Sequence, residues 1–265
     1  MIKYHFIGKS CYFFEEKLLV FGDLHLGYEE MLNQRGIMIP KHQYNETIAD
    51  LKLIFKYLEE NKLQVKAVVI LGDLKHEFSH NLNQEWREVL SLLSYLQGKI
   101  GKDGKIIVVK GNHDNYLENV IKEKAKIVDF YVKNELGFAH GDKIFPEILD
   151  KKIKLLVLGH KHPAVTLEKE SKSERYKCFL VGKFKNKEVI ILPSFFPLVE
   201  GSDVNLYTEN KQFSVSKNSI YKEEFPDDTN LAFKLNLKKF RTYIPVPGEV
   251  KVLEFKKINN KFKFI

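Results

Sequence analysis

Ile106-Ile107-Val108-Val109 is a short apolar run, and Gly111-Asn112-His113-Asp114 follows it after a single lysine. The run predicts a buried strand, and the four residues after it predict a tight turn at the carboxyl end of that strand. The turn presents three side chains that can bind a metal ion or transfer a proton. In open α/β sheets, functional groups collect at the carboxyl ends of the strands. The stretch therefore predicts an α/β fold with a site at this end of the sheet.

Four other short apolar runs end in a similar way. Taken singly, a Gly-Asp pair after a strand is a common turn, and a lone histidine is most often an ordinary core or surface residue. Repetition at five predicted strand ends on one edge is hard to attribute to chance, so we expect the side chains to converge. The other four runs contribute Asp23 with His25, Asp73, His140, and His160 with His162.

Amphipathic helices separate the first of these runs. Between Lys41 and Asn61, apolar residues recur at steps of three and four, just after Pro40. This spacing predicts a helix with one apolar face. Alternating strands and helices indicate a parallel sheet covered by helices. A second helix is predicted with one apolar face formed by Leu82, Trp86, Val89, Leu93 and Leu96.

Strand patterns dominate after Val165. Residues 175–181 and 188–192 bracket a turn and predict a β-hairpin, and alternating apolar residues after Leu231 predict further strands. The residues between these two regions are polar and weakly patterned. We predict one main domain over residues 1–206 and a C-terminal β-rich extension over residues 207–265.

The composition fits an α/β domain that is large enough to bury a core, with 265 residues of which 44% are hydrophobic. Cys11 and Cys178 are the only cysteines, which excludes a disulfide framework and a thiolate metal site. No apolar stretch is long enough to span a bilayer, and the first residues do not resemble a signal peptide. These features predict a cytoplasmic protein without a membrane partner.

The formal net charge is +8, and nearly all of the basic residues are lysines. A lysine-rich surface suits polyanions such as nucleic acid. The same enrichment also arises from genome composition or from a heat-adapted host. Charge alone therefore leaves the partner open.

The candidate ligands are two carboxylates, one amide oxygen and four imidazoles, without a thiolate. Such donors suit manganese, iron or zinc better than calcium or a structural zinc ion. Their number fits two divalent transition-metal ions better than one, with manganese first and iron or zinc as alternatives. A metal pair can hold a bridging hydroxide that attacks a phosphoryl group. We expect His113 to protonate the leaving oxygen and Asp114 to orient His113.

Taken in order, five motifs resemble those of the calcineurin-like metallophosphoesterases. The resemblance covers roughly residues 18–163 and implies an αββα sandwich of two facing mixed sheets with flanking helices. It implies that one metal ion is held by Asp23, His25, Asp73 and His162, and the other by Asp73, Asn112, His140 and His160. Asp73 would bridge the two ions. The motifs are Asp23-x-His25, Gly72-Asp73, Gly111-Asn112-His113-Asp114, His140-Gly141 and Gly159-His160-x-His162.

The residues after Asp73 indicate which subgroup of these metallophosphoesterases the chain resembles. They lack the Asp-Arg-Gly continuation that is typical of Ser/Thr protein phosphatases. His76 instead is similar to a histidine of double-strand-break repair nucleases and of small prokaryotic and archaeal metallophosphoesterases associated with DNA ligases and helicases. This resemblance implies a nucleic acid or nucleotide substrate, a catalytic role for His76, and a DNA-repair, helicase or ligase partner. Arg35, after the Asp23 motif, is a candidate to bind a substrate phosphate.

Three functions remain open at this point. The first is a two-metal phosphodiesterase of nucleic acid or nucleotides, and the second is a phosphomonoesterase or pyrophosphatase on a small metabolite. Substrate choice between these two depends on loops that the motifs do not cover. The third is a non-catalytic scaffold on the same fold, which would have lost ligands. None of the expected ligands is missing from the sequence.

Overall fold

Two mixed β-sheets pack face to face in the computed structural model of the chain. The structure describes residues 2–78, 82–169, 172–204, 232–233, 235–258 and 261–264. The helices are α1 (Tyr28–Gln34), α2 (Gln43–Glu60), α3 (Asn83–Ile100) and α4 (Glu118–Ile121). The strands are β1 (Tyr4–Ile7), β2 (Ser10–Phe13), β3 (Leu18–Phe21), β4 (Ala67–Leu71), β5 (Lys105–Val109), β6 (Lys126–Val128), β7 (Phe130–Lys133), β8 (Leu136–Ala139), β9 (Leu155–Leu158), β10 (Pro163–Lys169), β11 (Lys172–Lys177), β12 (Phe179–Phe184), β13 (Lys187–Ile191), β14 (Ser202–Asp203), β15 (Arg241–Pro245), β16 (Val252–Ile258) and β17 (Lys261–Phe264).

The first sheet has six strands in the order β1-β2-β3-β4-β5-β6. Strands β1 to β3 form an antiparallel meander, and β3 to β6 are parallel. The parallel strands are continuous apolar runs because both of their faces are covered. Phe21 pairs with Ile70, and Leu71 pairs with Val109. The carboxyl ends of β3, β4 and β5 therefore lie side by side.

Helices α2, α3 and α4 cover the outer face of the six-stranded sheet. Leu51 of α2 and Leu93 of α3 are buried with Val68 and Ile70 of β4 in one apolar cluster. Each such side chain contributes roughly 1.5–3 kcal/mol by leaving water. Helix α2 occupies the range that its apolar spacing predicted. None of the helices in the described part of the chain combines the length and apolar character that crossing a membrane requires.

The apolar face of α3 differs from its prediction at one end. Trp86 is 42% exposed, so its predicted place on the buried face is wrong. Gln84 and Glu85 are buried there instead. The reason lies in the loop before α3, since the Glu85 carboxylate accepts hydrogen bonds from the backbone N–H groups of His76, Glu77 and Leu82.

The second sheet has eight strands in the order β17-β16-β15-β12-β13-β9-β8-β7. Strands β8, β9 and β13 are parallel to one another, and the remaining pairs are antiparallel. Strands β15 to β17 lie in the region where the sequence predicted an extension, and they continue this sheet through the pair β12–β15. The predicted domain boundary at residues 206 and 207 lies outside the described residues.

The predicted hairpin is formed by β12 and β13. Its first strand begins at Phe179 and runs to Phe184, because β11 and β12 are separate strands in different sheets. The chain leaves a three-stranded sheet, ordered β11-β10-β14, at Cys178. The backbone N–H of Cys178 donates to the carbonyl of Pro163 at this point. The expectation of one strand over residues 175–181 is therefore wrong.

The main core lies between the two large sheets. Val69 and Val109 from the first sheet pack with Phe138, Val157 and Phe179 from the second. The outer face of the eight-stranded sheet packs against the three-stranded sheet and a 3-10 helix at residues 146–149. Among the described residues, the α-helices lie on the other side, against or beside the six-stranded sheet. The predicted α/β fold of two facing mixed sheets is confirmed.

Candidate metal centre

The predicted ligands follow five strand ends that meet at one end of the sandwich. They come from both sheets, so the expected single sheet edge is wrong: β3, β4 and β5 belong to one sheet, and β8 and β9 to the other. The sheets are linked at this point, because the backbone N–H of His160 donates to the carboxylate of Asp23 at 3.1 Å. The backbone N–H of Asp23 in turn donates to the carbonyl of Gly72.

Two glycines let the ligands approach closely. Gly72 has φ of +79°, and a Cβ atom there would overlap the imidazole of His140. A Cβ atom at Gly111 would overlap the carboxylate of Asp73. Glycine is needed at both positions because ligand side chains fill the space that any other side chain would occupy.

Most of the predicted ligands also have an unusual backbone conformation. Positive φ angles are uncommon outside glycine, although Asn, Asp and His tolerate them best, and they cost of order 1–3 kcal/mol each. Such strain persists where the surrounding structure demands it, which is typical of functional sites. Five of the seven predicted ligands have positive φ: Asp23, His25, Asp73, His160 and His162.

The first group of ligands consists of Asp23, His25, Asp73 and His162, all buried. Nε2 of His25 lies 3.6 Å from Oδ2 of Asp73 and 3.4 Å from Nε2 of His162. Nε2 of His162 lies 3.4 Å from Oδ1 of Asp23. Four side chains thus direct nitrogen and oxygen donors at one point.

The second group consists of Asp73, His140 and His160, with Asn112 beside them. Nε2 of His140 lies 3.2 Å from Oδ2 of Asp73, 3.1 Å from Oδ1 of Asn112 and 3.0 Å from Nδ1 of His160. One hydrogen on Nε2 satisfies only one of these three neighbours. A cation among these donors would be shared by all of them, so the residues fit a bound metal ion.

Burial and charge set the protonation of these groups. Burial lowers the pKa of His25 well below its usual value, and burial also lowers that of His160. Both therefore favour the neutral imidazole that binds metals. Burial acts in the same direction on His140, but the charges of Asp73 and Asp23 outweigh it and raise its pKa to about 10. Binding of a metal ion at His140 would therefore release a proton.

The carboxylate of Asp73 stays ionised. Burial would raise its pKa, but His140 and then His25 outweigh this effect and hold the pKa well below its usual value. The backbone N–H of His113 also donates to Oδ1 of Asp73 at 3.0 Å. Asp73 is thus an anion at the centre of the site.

His113 and His76 lie directly beside the first group of ligands. Donor atoms of His25, His76 and His113 all lie within 4.8 Å of one another. Nδ1 of His113 lies 2.5 Å from the carbonyl oxygen of His76, and Nδ1 of His76 lies 3.3 Å from Nδ1 of His25. Burial lowers the pKa of His113 and, with the charge of His113 as a second cause, lowers that of His76 to about 3. The structure thus places His76 in the site rather than in an exposed loop.

Asp114 does not contact the ring of His113 in the expected way. Its carboxylate accepts hydrogen bonds from the backbone N–H groups of Gly111 at 2.9 Å, Leu74 at 2.9 Å and Lys75 at 3.3 Å. The group that faces Nδ1 of His113 is the carbonyl of His76. Asp114 therefore joins the loop after β4 to the turn after β5. Burial and then the charge of Asp73 raise its pKa to about 7.

Replacing Asp114 tests this structural role. Asp114→Ala would leave three N–H groups in a buried place without their acceptor, and each such group costs about 1–3 kcal/mol. We expect the free energy of unfolding of the metal-free protein to fall by at least about 2 kcal/mol, measured by urea titration at pH 8. Asp103→Ala, in an exposed loop, is the control and should change it by less than about 0.5 kcal/mol. Equal effects of the two substitutions would contradict the role of Asp114.

Arg35 follows α1 and is exposed. Its charge is near enough to contribute, after burial and other charges, to the lowered pKa of His76. The structure therefore brings Arg35 to the side of the site where His76 lies. Its contact with a substrate phosphate stays a prediction.

Several residues that support the metal centre belong to no sequence motif, and the sequence did not predict them. The amide of Gln43 donates to the carbonyls of Leu24 and His25, at 2.8 and 2.7 Å. The hydroxyl of Ser194 donates to the carbonyl of Asp23 at 3.0 Å. Lys75 is buried, with Nζ donating to the carbonyl of Glu77. Pro193 and Pro197 flank Ser194 and indicated a rigid loop. No feature of the sequence indicated a role for Gln43.

The chain is similar to known proteins in sequence and in fold. Residues 16–234 match the family model of calcineurin-like phosphoesterases. The fold is similar to that of the nuclease MPE from Pseudomonas putida, with a TM-score of 0.55 and 18% sequence identity over 92% of this chain and 97% of that chain. Vps29 from Entamoeba histolytica, solved with Zn²⁺, is less similar, with a TM-score of 0.32 and 13% identity over 94% of this chain and 96% of that chain. No curated protein matches the chain in sequence.

The family match spans most of the chain, and its residues include all of the clustered Asp and His side chains. Members of this family use divalent metal ions. The chain therefore belongs to the calcineurin-like phosphoesterase family and is a metal-dependent phosphoesterase.

Proposed function

We propose that this phosphoesterase is a two-metal phosphodiesterase of nucleic acid or nucleotides. The observation that carries the proposal is the position of Asp73, whose carboxylate belongs to both groups of ligands. Two neighbouring cations repel each other, and a shared carboxylate reduces that repulsion. A pair of ions is also the arrangement that binds both oxygens of an in-line phosphoryl displacement.

We propose the division of the ligands between two ions that the motifs implied. Asp23, His25, Asp73 and His162 would hold one ion, and Asp73, Asn112, His140 and His160 would hold the other. Manganese is the first candidate, with iron or zinc as alternatives, because the donors are imidazoles, carboxylates and an amide. When bound, the ions supply positive charge to a phosphoryl group and lower the pKa of a bound water.

His113 is the proposed acid for the leaving group. The carbonyl of His76 accepts a hydrogen bond from Nδ1, which leaves Nε2 as the nitrogen that can pass a proton to a substrate. Burial lowers the pKa of His113. This favours the neutral ring in the free protein, and the negative charge of a phosphate beside Nε2 would favour the protonated form that an acid needs.

His76 is proposed to position His25 rather than to exchange protons itself. With a pKa of about 3, it is neutral near pH 7. Its ring packs against Tyr28, with centroids 4.8 Å apart, and its Nδ1 faces His25. Arg35 is the proposed contact for a substrate phosphate on this side of the centre.

Three observations support a nucleic acid substrate over a small phosphomonoester. The chain carries a net charge of +8, which suits a polyanion. A phosphomonoester has more negative charge than a diester, and the neutral His76 offers no additional cation to balance it. The protein from Pseudomonas putida that shares the fold is a nuclease. The complete ligand set argues against a non-catalytic scaffold.

Salt dependence tests the substrate class. With Mn²⁺ present, binding of a DNA oligonucleotide should weaken steeply with salt, with a log–log slope of about 0.7 per neutralised phosphate for a single strand and about 0.9 for a duplex. Turnover of the small diester bis(p-nitrophenyl) phosphate should change little over the same range. A preference for phosphomonoesters without salt-dependent DNA or RNA binding would instead support the metabolite phosphatase or pyrophosphatase.

We propose the cytoplasm as the compartment, supported by Cys11 and Cys178, which are both free and buried. We also propose a DNA-repair, helicase or ligase partner, on the basis of the residues that follow Asp73. Co-purification of the tagged chain with such a protein is the measurement that checks it.

A further inference from the structure

Phe78 is an exposed aromatic residue at the edge of the metal centre. It is 42% exposed, whereas His113 is 8% exposed. The ring centroids of Phe78 and His113 lie 3.7 Å apart at an interplanar angle of 34°. Part of the Phe78 ring is therefore open to a ligand that approaches the metal centre.

One side chain, that of His113, lies between the ring of Phe78 and the predicted metal ligand His25. His113 packs edge-on against His25, with centroids 4.7 Å apart, and it contacts Phe78 on the way to the surface. We call His25, His113 and Phe78 the aromatic column. It begins at a predicted ligand and ends at an exposed ring, so a group stacked on Phe78 would lie beside the metal centre.

Two contacts hold the backbone at Glu77 and Phe78. The carboxylate of Glu85 accepts a hydrogen bond from the backbone N–H of Glu77 at 2.6 Å. The side chain amide of Asn115 lies 3.5 Å from the carbonyl of Phe78. Backbone contacts of this kind reduce the conformational freedom that Phe78 loses when a ligand stacks on it.

We propose that Phe78 is a stacking platform for an unpaired nucleobase next to the scissile phosphodiester. The inference rests on the proposed nucleic acid substrate and assigns its base subsite. Every nucleobase has an aromatic face, so stacking of this kind tolerates any sequence. A base inside a duplex is already stacked on its neighbours, so the platform favours single strands and unpaired ends.

Tyr116 is a second exposed aromatic residue on a neighbouring loop. It is 61% exposed and has φ of +63°. It follows Asp114 by two residues and therefore lies on the loop that carries His113. Aromatic side chains on adjacent loops, together with a positively charged chain, are typical of surfaces that bind single-stranded nucleic acid.

The test compares two single-stranded oligomers of equal length and equal charge. One is oligothymidylate, and the other has the same phosphodiester backbone with abasic tetrahydrofuran units. With Mn²⁺ present, Phe78→Leu keeps the apolar bulk and removes the aromatic face. We expect its kcat/KM to fall about tenfold more on oligothymidylate than on the abasic oligomer, since stacking of one base contributes about that factor.

Control variants separate stacking from general damage. The ratio of the two rates in one preparation does not depend on the fraction of active enzyme, so partial misfolding of Phe78→Leu leaves it unchanged. Phe78→Trp, which keeps an aromatic face, should retain the wild-type ratio. Phe14→Leu removes a ring that is 38% exposed at the opposite end of the sheet and should alter neither rate.

The outcomes distinguish the platform from the proposed function. Equal losses on the two oligomers would overturn the platform and leave the phosphodiesterase in place. Failure of the wild-type protein to cleave either oligomer, with cleavage of phosphomonoesters intact, would overturn the nucleic acid substrate itself.

Discussion

Replacing Asp73 with asparagine is expected to cause the largest loss of activity of any substitution of a predicted metal ligand in this protein. The Asp73 carboxylate faces His25 at 3.6 Å and His140 at 3.2 Å, and it belongs to both groups of ligands. An amide of the same size removes the negative charge that two cations would share. A bound metal ion contributes several kcal/mol to transition-state stabilisation, so kcat/KM should fall by about 10³-fold or more.

Metal content gives a second readout for Asp73. The wild-type protein should bind two equivalents of Mn²⁺ at saturation, and Asp73→Asn should bind fewer, as measured by equilibrium dialysis with elemental analysis. Asp103→Asn makes the same chemical change in an exposed loop before β5 and should bind two equivalents. One equivalent in the wild-type protein, or full activity in the presence of a chelator, would contradict the two-metal proposal.

The strand ends could be predicted because their signals are local. A short apolar run, followed directly or after one lysine by glycine and a ligand, marks the ends of β4, β5 and β9, and in each case the structure has a buried strand there. Helix α2 was predictable for the same reason, since its buried residues recur with the helical period. The reason why glycine is required after β4 and β5 could not be predicted. It depends on the space that the side chains of His140 and Asp73 occupy in the folded chain.

The division of the strands between two sheets could not be predicted in this way. Strands β5 and β8 both end in a histidine motif, yet β5 pairs with β4, and β8 pairs with β9. That choice depends on pairing over long stretches of chain and on packing between the sheets, which apolar runs do not encode. The burial of Glu85 and the exposure of Trp86 have the same origin, because the loop before α3 determines which side of that helix is covered.

Supporting residues were the hardest part of the site to predict. Gln43 begins a helix far in sequence from His25, yet its amide donates to the His25 carbonyl at 2.7 Å. Asp114 was expected to orient His113, because the two are adjacent in sequence. The folded chain instead places its carboxylate against the N–H groups of Leu74 and Gly111. Sequence neighbours predict which groups are present in a site, but tertiary contacts determine what each one touches.

Replacing His113 with alanine is expected to slow turnover by about 10²–10⁴-fold while leaving metal content intact. This is the usual contribution of a positioned general acid. His113 is not part of the two groups of ligands, and its ring lies between His25 and the exposed Phe78. The loss should depend on the leaving group, because p-nitrophenolate needs little protonation, whereas a nucleoside alkoxide needs a full proton.

The role of His113 can therefore be tested by comparing substrates with different leaving groups. On bis(p-nitrophenyl) phosphate, the effect of His113→Ala should be at least about tenfold smaller than on a DNA oligonucleotide, because the Nε2 proton matters only for the poorer leaving group. His5→Ala, at an exposed position on β1, removes an imidazole far from the site and should leave both rates unchanged. Equal losses on the two substrates would assign His113 to positioning of the phosphate. A drop from two bound Mn²⁺ ions to one would show that His113 is needed for metal binding, either as a ligand or through the ligands that it contacts.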